Sequence, residues 1–259
     1  MEFLSGNLFK SKCRFVFDET GFSEKFQIKN NFVFVKTDYI REIYERFILK
    51  NNLNVNLITH NSDINIDESY RDICDNKCII KWYAQNVCYN HNKLISIPIG
   101  IANERIISND VTEHFHYGAH NILKSVIDCN LDKTNLVYCN FNPNTNLIER
   151  MNCLNKIQKK VHNEPTKLTY KEYLRKIATS YFVISPNGNG VDCHRHWEAL
   201  YLKTIPIVTK SININFYKKY PFIVLNDWAD FEKLKLSVDV YNSFIKNNKY
   251  DLLCDNFLI

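Results

Sequence analysis

With 259 residues the chain exceeds an ordinary single domain and is long enough for two, and 45% hydrophobic with 14% aromatic residues excludes a disordered or low-complexity polymer. The net charge of +5 comes from basic residues interspersed with acids, which suits anionic small molecules but supplies no basic stripe for a nucleic-acid module. No apolar run reaches the roughly 18–20 residues of a membrane span, and the start lacks a signal-peptide core. Nine cysteines, an odd number, and the lack of any Asn-x-Ser/Thr acceptor complete the expectation of a cytoplasmic protein with reduced thiols.

In chain order, Phe32–Lys36 reads as a strand and Tyr39–Lys50 as a helix. Tyr39, Ile43, Phe47 and Leu49 fall near one face of that helix, and Arg41, Glu42, Glu45 and Arg46 form a solvated one. Val55–Thr59 is the next strand. Residues 114–135 read as one helix ending in a polar turn, after which the rhythm restarts with a strand at Leu136–Phe141 and a helix at Leu147–Val161. A strand at Tyr181–Ser185, a helix at His194–Tyr201 and a strand at Ile205–Val208 follow. Strand-then-helix alternation predicts an α/β protein with parallel sheets flanked by helices. The restart predicts an N-terminal lobe over residues 1–125 and a C-terminal lobe over 126–259, whose last helix is free to pack back on the first.

The chemistry concentrates between Ser185 and Leu200. An apolar strand runs into Ser185, Pro186, Asn187, Gly188, Asn189 and Gly190, and then into a helix opened near Asp192 that carries Arg195 and Glu198. Unpaired N–H groups in the first helical turn favour an anion, and glycines admit a close ligand or a positive φ. Two of only six glycines are placed here. Arg195 and Glu198, three apart, share a helix face; a guanidinium matches phosphate oxygens and a carboxylate accepts from a ribose diol, although an ordinary intrahelical pair fits the same spacing. Asp192 reads equally as the helix N-cap. Trp197, Ala199 and Leu200 read as core.

The stretch FVISPNGNGVDCHRHWEALYLKTIPIV resembles the donor-side signature of the exostosin-like glycosyltransferases (GT47-like), in its microbial or viral branch. The resemblance extends back through KEYLRKIATSYFVIS and forward to YPFIVLNDWADF. Upstream, FVKTDYI, LITHNSD, KWYAQN, KLISIPIGIAN and FNPNTNLIER are similar to motifs of that branch, so that most of Phe32–Phe231 is covered. Lys203-Thr204 stands where relatives carry a Gly before Ile-Pro, which reads as a local change of turn. An AT-rich composition fits a bacterium or a large DNA virus, in which case the location is the host cytoplasm.

This resemblance implies a GT-B-like architecture, two Rossmann-like lobes facing a cleft, with a nucleotide-sugar donor in the C-terminal lobe and a glycan acceptor approached from the N-terminal one. It implies a sugar transferred from a uridine diphosphate sugar, hexosyl or pentosyl, with inversion, no cofactor and no metal, and no Asp-x-Asp motif occurs. Leaving-group charge falls to Arg195, the Gly188–Gly190 loop, and Arg150 beyond Asn146. Inversion requires a base from the N-terminal lobe, for which Asp38, His60 and Asp63 are candidates at the carboxyl ends of strands. Asp38 reads equally as a helix cap and His60 as a partner of a loop carbonyl. Trp82, Gln85, Asn86, Gly100 and Asn103 are acceptor-side candidates, Trp82 reading also as core. Retention of configuration would need no base. The rival readings are a catalytically inactive nucleotide-sugar-binding protein and a basic nucleic-acid module.

His114, His116 and His120 with Cys129 match no zinc spacing. Cys74 and Cys78, and Cys193 beside His194, lack the partners of a metal site or a covalent catalyst, and are read as packing or loop residues.

Overall fold

The structure, a computed structural model, describes residues 2–104, 118–164, 167–248 and 251–258. His114 and His116 lie outside them. The strands are β1 (Phe15–Asp18), β2 (Gly21–Glu24), β3 (Phe32–Lys36), β4 (Val55–His60), β5 (Ile79–Ala84), β6 (Leu94–Ser96), β7 (Asn135–Tyr138), β8 (Ser180–Ile184), β9 (Ile205–Thr209) and β10 (Ile223–Leu225). The helices are α1 (Gly6–Ser11), α2 (Ile40–Ile43), α3 (Arg71–Asp75), α4 (Ala119–Asp128), α5 (Leu147–Ile157), α6 (Tyr170–Ala178), α7 (His194–Tyr201), α8 (Ile212–Asn215) and α9 (Val238–Asn247).

Two sheets result. The N-terminal one has six strands in the order β2-β1-β3-β4-β5-β6, parallel except for the β1–β2 hairpin, and the C-terminal one has four parallel strands in the order β10-β9-β8-β7. The fold is thus two parallel-sheet α/β lobes with flanking helices, a GT-B-like arrangement. Burial on both faces explains the unbroken apolar runs: Val33, Phe34 and Val35 in β3 and Phe182, Val183 and Ile184 in β8 are all fully buried.

Expected and observed elements differ where local geometry overrides period. The segment read as one helix over Tyr39–Lys50 is a 3₁₀ turn at Thr37–Tyr39, then α2, then a π-helical turn at Tyr44–Leu49. Its buried ridge is Ile40, Tyr44 and Ile48, flanked by Tyr39, Ile43 and Phe47, while Leu49 is exposed. α5 stops at Ile157, four residues before the expected end. The expected division after residue 125 falls inside α4, which packs through Leu123 and Val126 in the cluster that holds Leu174 and Ile177 of α6. α9 stays with the C-terminal sheet, Tyr241 packing beside Phe182. The segment that bridges the lobes is the chain beyond it, where Leu252, Cys254 and Phe257 join Leu4, Phe9, Trp197 and Tyr217 in one shared core.

At the turn after α7, Lys203 adopts φ +53, the left-handed conformation that favours glycine. The substitution noted in the sequence therefore keeps the geometry of a glycine turn at a conformational cost.

Candidate functional site

β8 delivers the chain to the loop of residues 186–192, and α7 begins at His194 with Cys193 as its N-cap, making no side-chain capping bond. Every turn of the loop is tied to something. Arg150 Nε donates to the Asn187 carbonyl at 2.9 Å, Asn146 Nδ2 to the Gly188 carbonyl at 2.8 Å, and Asn189 Nδ2 to Asp63 Oδ2 at 3.0 Å. Gly190 has an ordinary negative φ, and its need for glycine is spatial: a Cβ there would lie 2.3 Å from Asn86 Nδ2. Gly188 has room for a Cβ, its nearest neighbour being Arg150 Nη2 at 3.6 Å. Neither glycine thus has the positive φ raised above, and one of them is explained by a side chain of the other lobe.

Asp192 is a buried anchor, not the helix cap. Its carboxylate accepts from Ile99 N at 2.9 Å, Cys193 N at 2.9 Å, Trp197 Nε1 at 3.0 Å and His196 Nδ1 at 2.9 Å. The other ring nitrogen of His196 lies 3.2 Å from the Ser185 carbonyl. Acceptor oxygens face both ring nitrogens, an arrangement that suits the protonated ring. Burial pulls its pKa down, and Cys193 and Asp192 raise it to about 10. Burial in turn pushes the Cys193 thiol up, and His196 and Arg195 bring it down to about 6.

Beside the loop lies a cavity of about 670 Å³ lined by Asp63 and Ile99 from the N-terminal lobe and by Phe141, Arg150, Tyr173, Gly188, His194, Arg195 and Glu198 from the C-terminal one. Two guanidinium carbons sit near the Phe141 ring centroid, Arg150 at 5.6 Å and Arg195 at 5.7 Å. Arg150 is largely consumed by structure, its Nη1 donating to the Asn142 carbonyl at 2.7 Å. Its pKa is lowered by burial and by the charge of Arg195. Arg195 is different: its Nε and Nη1 are buried without a hydrogen-bond partner. Burial pulls its pKa down, yet Tyr173, Cys193 and Glu198 hold it above the ordinary arginine value. A buried cationic donor without an acceptor costs about 1–3 kcal/mol or more, which an arriving anion removes.

Glu198 shares the cavity, but its carboxylate is engaged: Tyr170 OH donates to Oε1 at 2.8 Å and Tyr173 OH to Oε2 at 3.1 Å. These tyrosines, three apart on α6, are held by a capping box in which Glu172 Oε2 accepts from Thr169 N at 2.8 Å. Asn146 caps α5 by accepting from Glu149 N at 3.3 Å. Ser185 is buried, its N–H donating to the Ile207 carbonyl at 2.9 Å.

Of the three base candidates, Asp63 alone lines the cavity. Asp38 is exposed in the 3₁₀ turn after β3 and caps no helix. His60 is buried, with Nε2 3.0 Å from the Pro98 carbonyl and Nδ1 accepting from Asn61 N at 2.7 Å; burial lowers its pKa. It matches the carbonyl-partner reading. The acceptor-side candidates turn out to brace the structure. Trp82 is core, Nε1 donating to Thr59 Oγ1 at 2.8 Å. Gln85 accepts from Asn61 N at 3.1 Å, and Asn86, at φ +59, accepts from Asp192 N at 3.1 Å. Asn103 donates to Asn61 Oδ1 at 2.9 Å. Gly100 holds φ +67 with Leu4 O 2.2 Å from where a Cβ would stand. Tyr170, Tyr173 and Phe141 were not singled out from the sequence, and His194 only as the neighbour of Cys193 and without a role; the Tyr-x-x-Tyr spacing on an amphipathic helix was the available signal for the first two. Among the described residues no group of three His, Cys, Asp or Glu is placed to hold a metal. No helix there is long and apolar enough to cross a membrane.

Residues 144–249, which carry the loop, α7 and both arginines, match the family described as RXYLT1 C-terminal domain, a glycosyltransferase-related family. The chain is thus glycosyltransferase-like in its C-terminal lobe. No curated protein matches it. Among solved structures it is similar to one titled "Crystal Structure of alpha1,3-Fucosyltransferase", at 12% identity and a TM-score of 0.39, over 84% of this chain and 68% of that one.

Proposed function

We propose that the chain is a glycosyltransferase of the exostosin-like kind that moves a sugar from a nucleoside diphosphate sugar, a uridine diphosphate sugar in the first instance, to a hydroxyl of a glycan or glycoconjugate. The carrying observation is the pair of unpartnered, buried donors on Arg195, which face a cavity beside the loop and next to a second arginine. A diphosphate supplies acceptors for both donors and charge for both guanidinium groups, and the same contacts stabilise the negative charge that develops on the leaving group. Asp63 and Ile99 place the N-terminal lobe at the same cavity, where an acceptor would enter. We further propose inversion, and transfer without a metal, the latter because the sequence lacks Asp-x-Asp and two arginines line the cavity that would take a diphosphate.

Thermal unfolding with uridine and guanosine diphosphate sugars tests this. A donor raises the midpoint, since it binds only the folded state, and Arg195→Ala weakens its affinity at least tenfold. Transfer persists in the presence of a chelator. Binding without any turnover, of sugar or to water, would point instead to an inactive nucleotide-sugar-binding protein. Salt-dependent affinity for an oligonucleotide, with no response to any sugar nucleotide, would overturn the reading.

A further inference from the structure

We infer that Phe141 is a positioning residue: its ring holds the guanidinium groups of Arg150 and Arg195 together, and so gives the cavity a preference for a diphosphate over a single phosphate. The inference rests on the transferase reading above and names the feature of that site which selects the charged half of the donor. Phe141 and both arginines line the same cavity. Both guanidinium carbons lie over the ring, Arg150 at 5.6 Å and Arg195 at 5.7 Å from its centroid, within the roughly 6 Å over which the negative face of a ring attracts a cation. Arginine keeps its proton in a protein, so these are two like charges brought close. Burial, and after it the charge of Arg195, lowers the pKa of Arg150, which is the mark of that repulsion. A ring whose face attracts both cations offsets it.

The ring is itself fixed. Phe141 is 3% exposed and packs in the cluster that holds Cys153 and Ile157 of α5 and Ile184 of β8. Asn163 grips its backbone twice, Oδ1 accepting from Phe141 N at 3.1 Å and Nδ2 donating to the Phe141 carbonyl at 3.1 Å. The two arginines differ in what else restrains them. Arg150 is tied through Nε and Nη1 to the Asn187 and Asn142 carbonyls, so its charge stays in place. Arg195 has no hydrogen-bond partner on Nε or Nη1, and the ring restrains it without consuming those donors. A carboxylate in place of the ring would take the N–H groups and repel an arriving anion; an aromatic face does neither. Two cations fixed in this way match two linked phosphates, whereas a single phosphate meets only one of them in full.

Fluorine on the ring separates this role from packing, because it withdraws charge from the ring face while nearly preserving the shape. The experiment compares wild type, Phe141→Leu and proteins that carry mono-, di- or trifluorophenylalanine at position 141 alone. It reads the affinity for uridine and guanosine diphosphates and for the matching monophosphates, together with the unliganded thermal midpoint. Wild type is expected to favour the diphosphate by about tenfold or more. Successive fluorines should weaken diphosphate binding stepwise, by about threefold to tenfold in all, at an unchanged midpoint, and Phe141→Leu by about tenfold or more. In both series the preference for diphosphate over monophosphate falls. Diphosphate affinity that ignores the fluorine content, or rises with it, overturns the inference. So does an equal loss for diphosphate and monophosphate, or a loss in the fluorinated proteins that follows a falling midpoint. A wild type that binds the two equally overturns the inference and leaves the donor site standing. Binding of no nucleotide at all removes the donor site itself, and the inference with it.

Discussion

Cys193 and His196 lie three residues apart at the start of α7, and each moves the other's proton. The thiol is brought down to about 6 and the imidazole up to about 10, against unfolded values near 9 and 6.5. A raised base contributes stability that is full below its unfolded pKa and is lost as pH rises through the folded one. A lowered acid contributes stability that is present above its unfolded pKa and is lost as pH falls through the folded one. Between pH 6.5 and 9 the folded pair holds one proton, on His196, and the unfolded pair also holds one, on Cys193, so the two effects cancel. Cys193→Ser removes the cancellation. Because the thiolate also raises His196, Asp192 alone holds the imidazole up against burial in the variant. Stability relative to wild type is therefore expected to fall as pH rises through that lower folded value, by less than about 1.4 kcal/mol per pH unit. Urea midpoints of both proteins at pH 6, 7, 8 and 9 check this; parallel curves would show that the thiol is not ionised in the folded state.

At the scale of elements, the loop between β8 and α7 is shaped by contacts that cross the cleft. Gly190→Ala would press a methyl group into Asn86, at an expected cost of about 1–3 kcal/mol. Asn86→Ala alone loses the bond to Asp192 N, yet in the Gly190→Ala background it should restore part of the loss. A double-mutant cycle by denaturant unfolding measures that coupling, and strict additivity of the two costs would exclude the contact. The sequence made this region legible as a loop, because strand, glycines and helix follow each other locally. It also placed His194–Tyr201 correctly, and β3 is the strand expected at Phe32–Lys36. What it could not reveal was the reason for Gly190, since Asn86 lies 104 positions earlier and meets it only through the fold. The same holds for Glu198, whose two tyrosine donors come from another helix. His60 and Gln85 sit at strand ends where ligands often bind, and nothing in their spacing distinguishes a brace from a contact. The helix after β3 was missed in detail because Ile40, Ile43, Tyr44, Phe47 and Ile48 keep the spacing of a regular helix, so nothing in the apolar pattern marks the 3₁₀ and π-helical turns.

Across the whole molecule, the two lobes share a core. Trp197 of α7 packs edge-on against Tyr217 at 4.9 Å and Phe257 at 6.2 Å, in the cluster that includes Leu4, Phe9, Phe34 and Tyr83 of the N-terminal side. Polar contacts follow the same seam: Ser96 Oγ donates to Asn213 Oδ1 at 2.6 Å and pairs with Tyr217 OH at 2.8 Å. Removing one aromatic from such a centre costs about 3–5 kcal/mol, so Phe257→Ala should lower the stability of both sheets together. Far-UV and near-UV signals are expected to report one coincident transition in wild type and in the variant. Separate transitions for the two lobes would show that the shared core is not a unit of cooperativity.

The clasp formed by Asn86, Ile99 and Gly100 around residues 190–194 limits how the chain can be taken apart. A C-terminal lobe grafted onto a foreign partner would carry the sequence of this loop but not the mould that gives it shape. Transplanting the loop into another chain is therefore expected to keep its shape only when these three positions travel with it, which makes the unit of inheritance at this site a pair of segments from both halves.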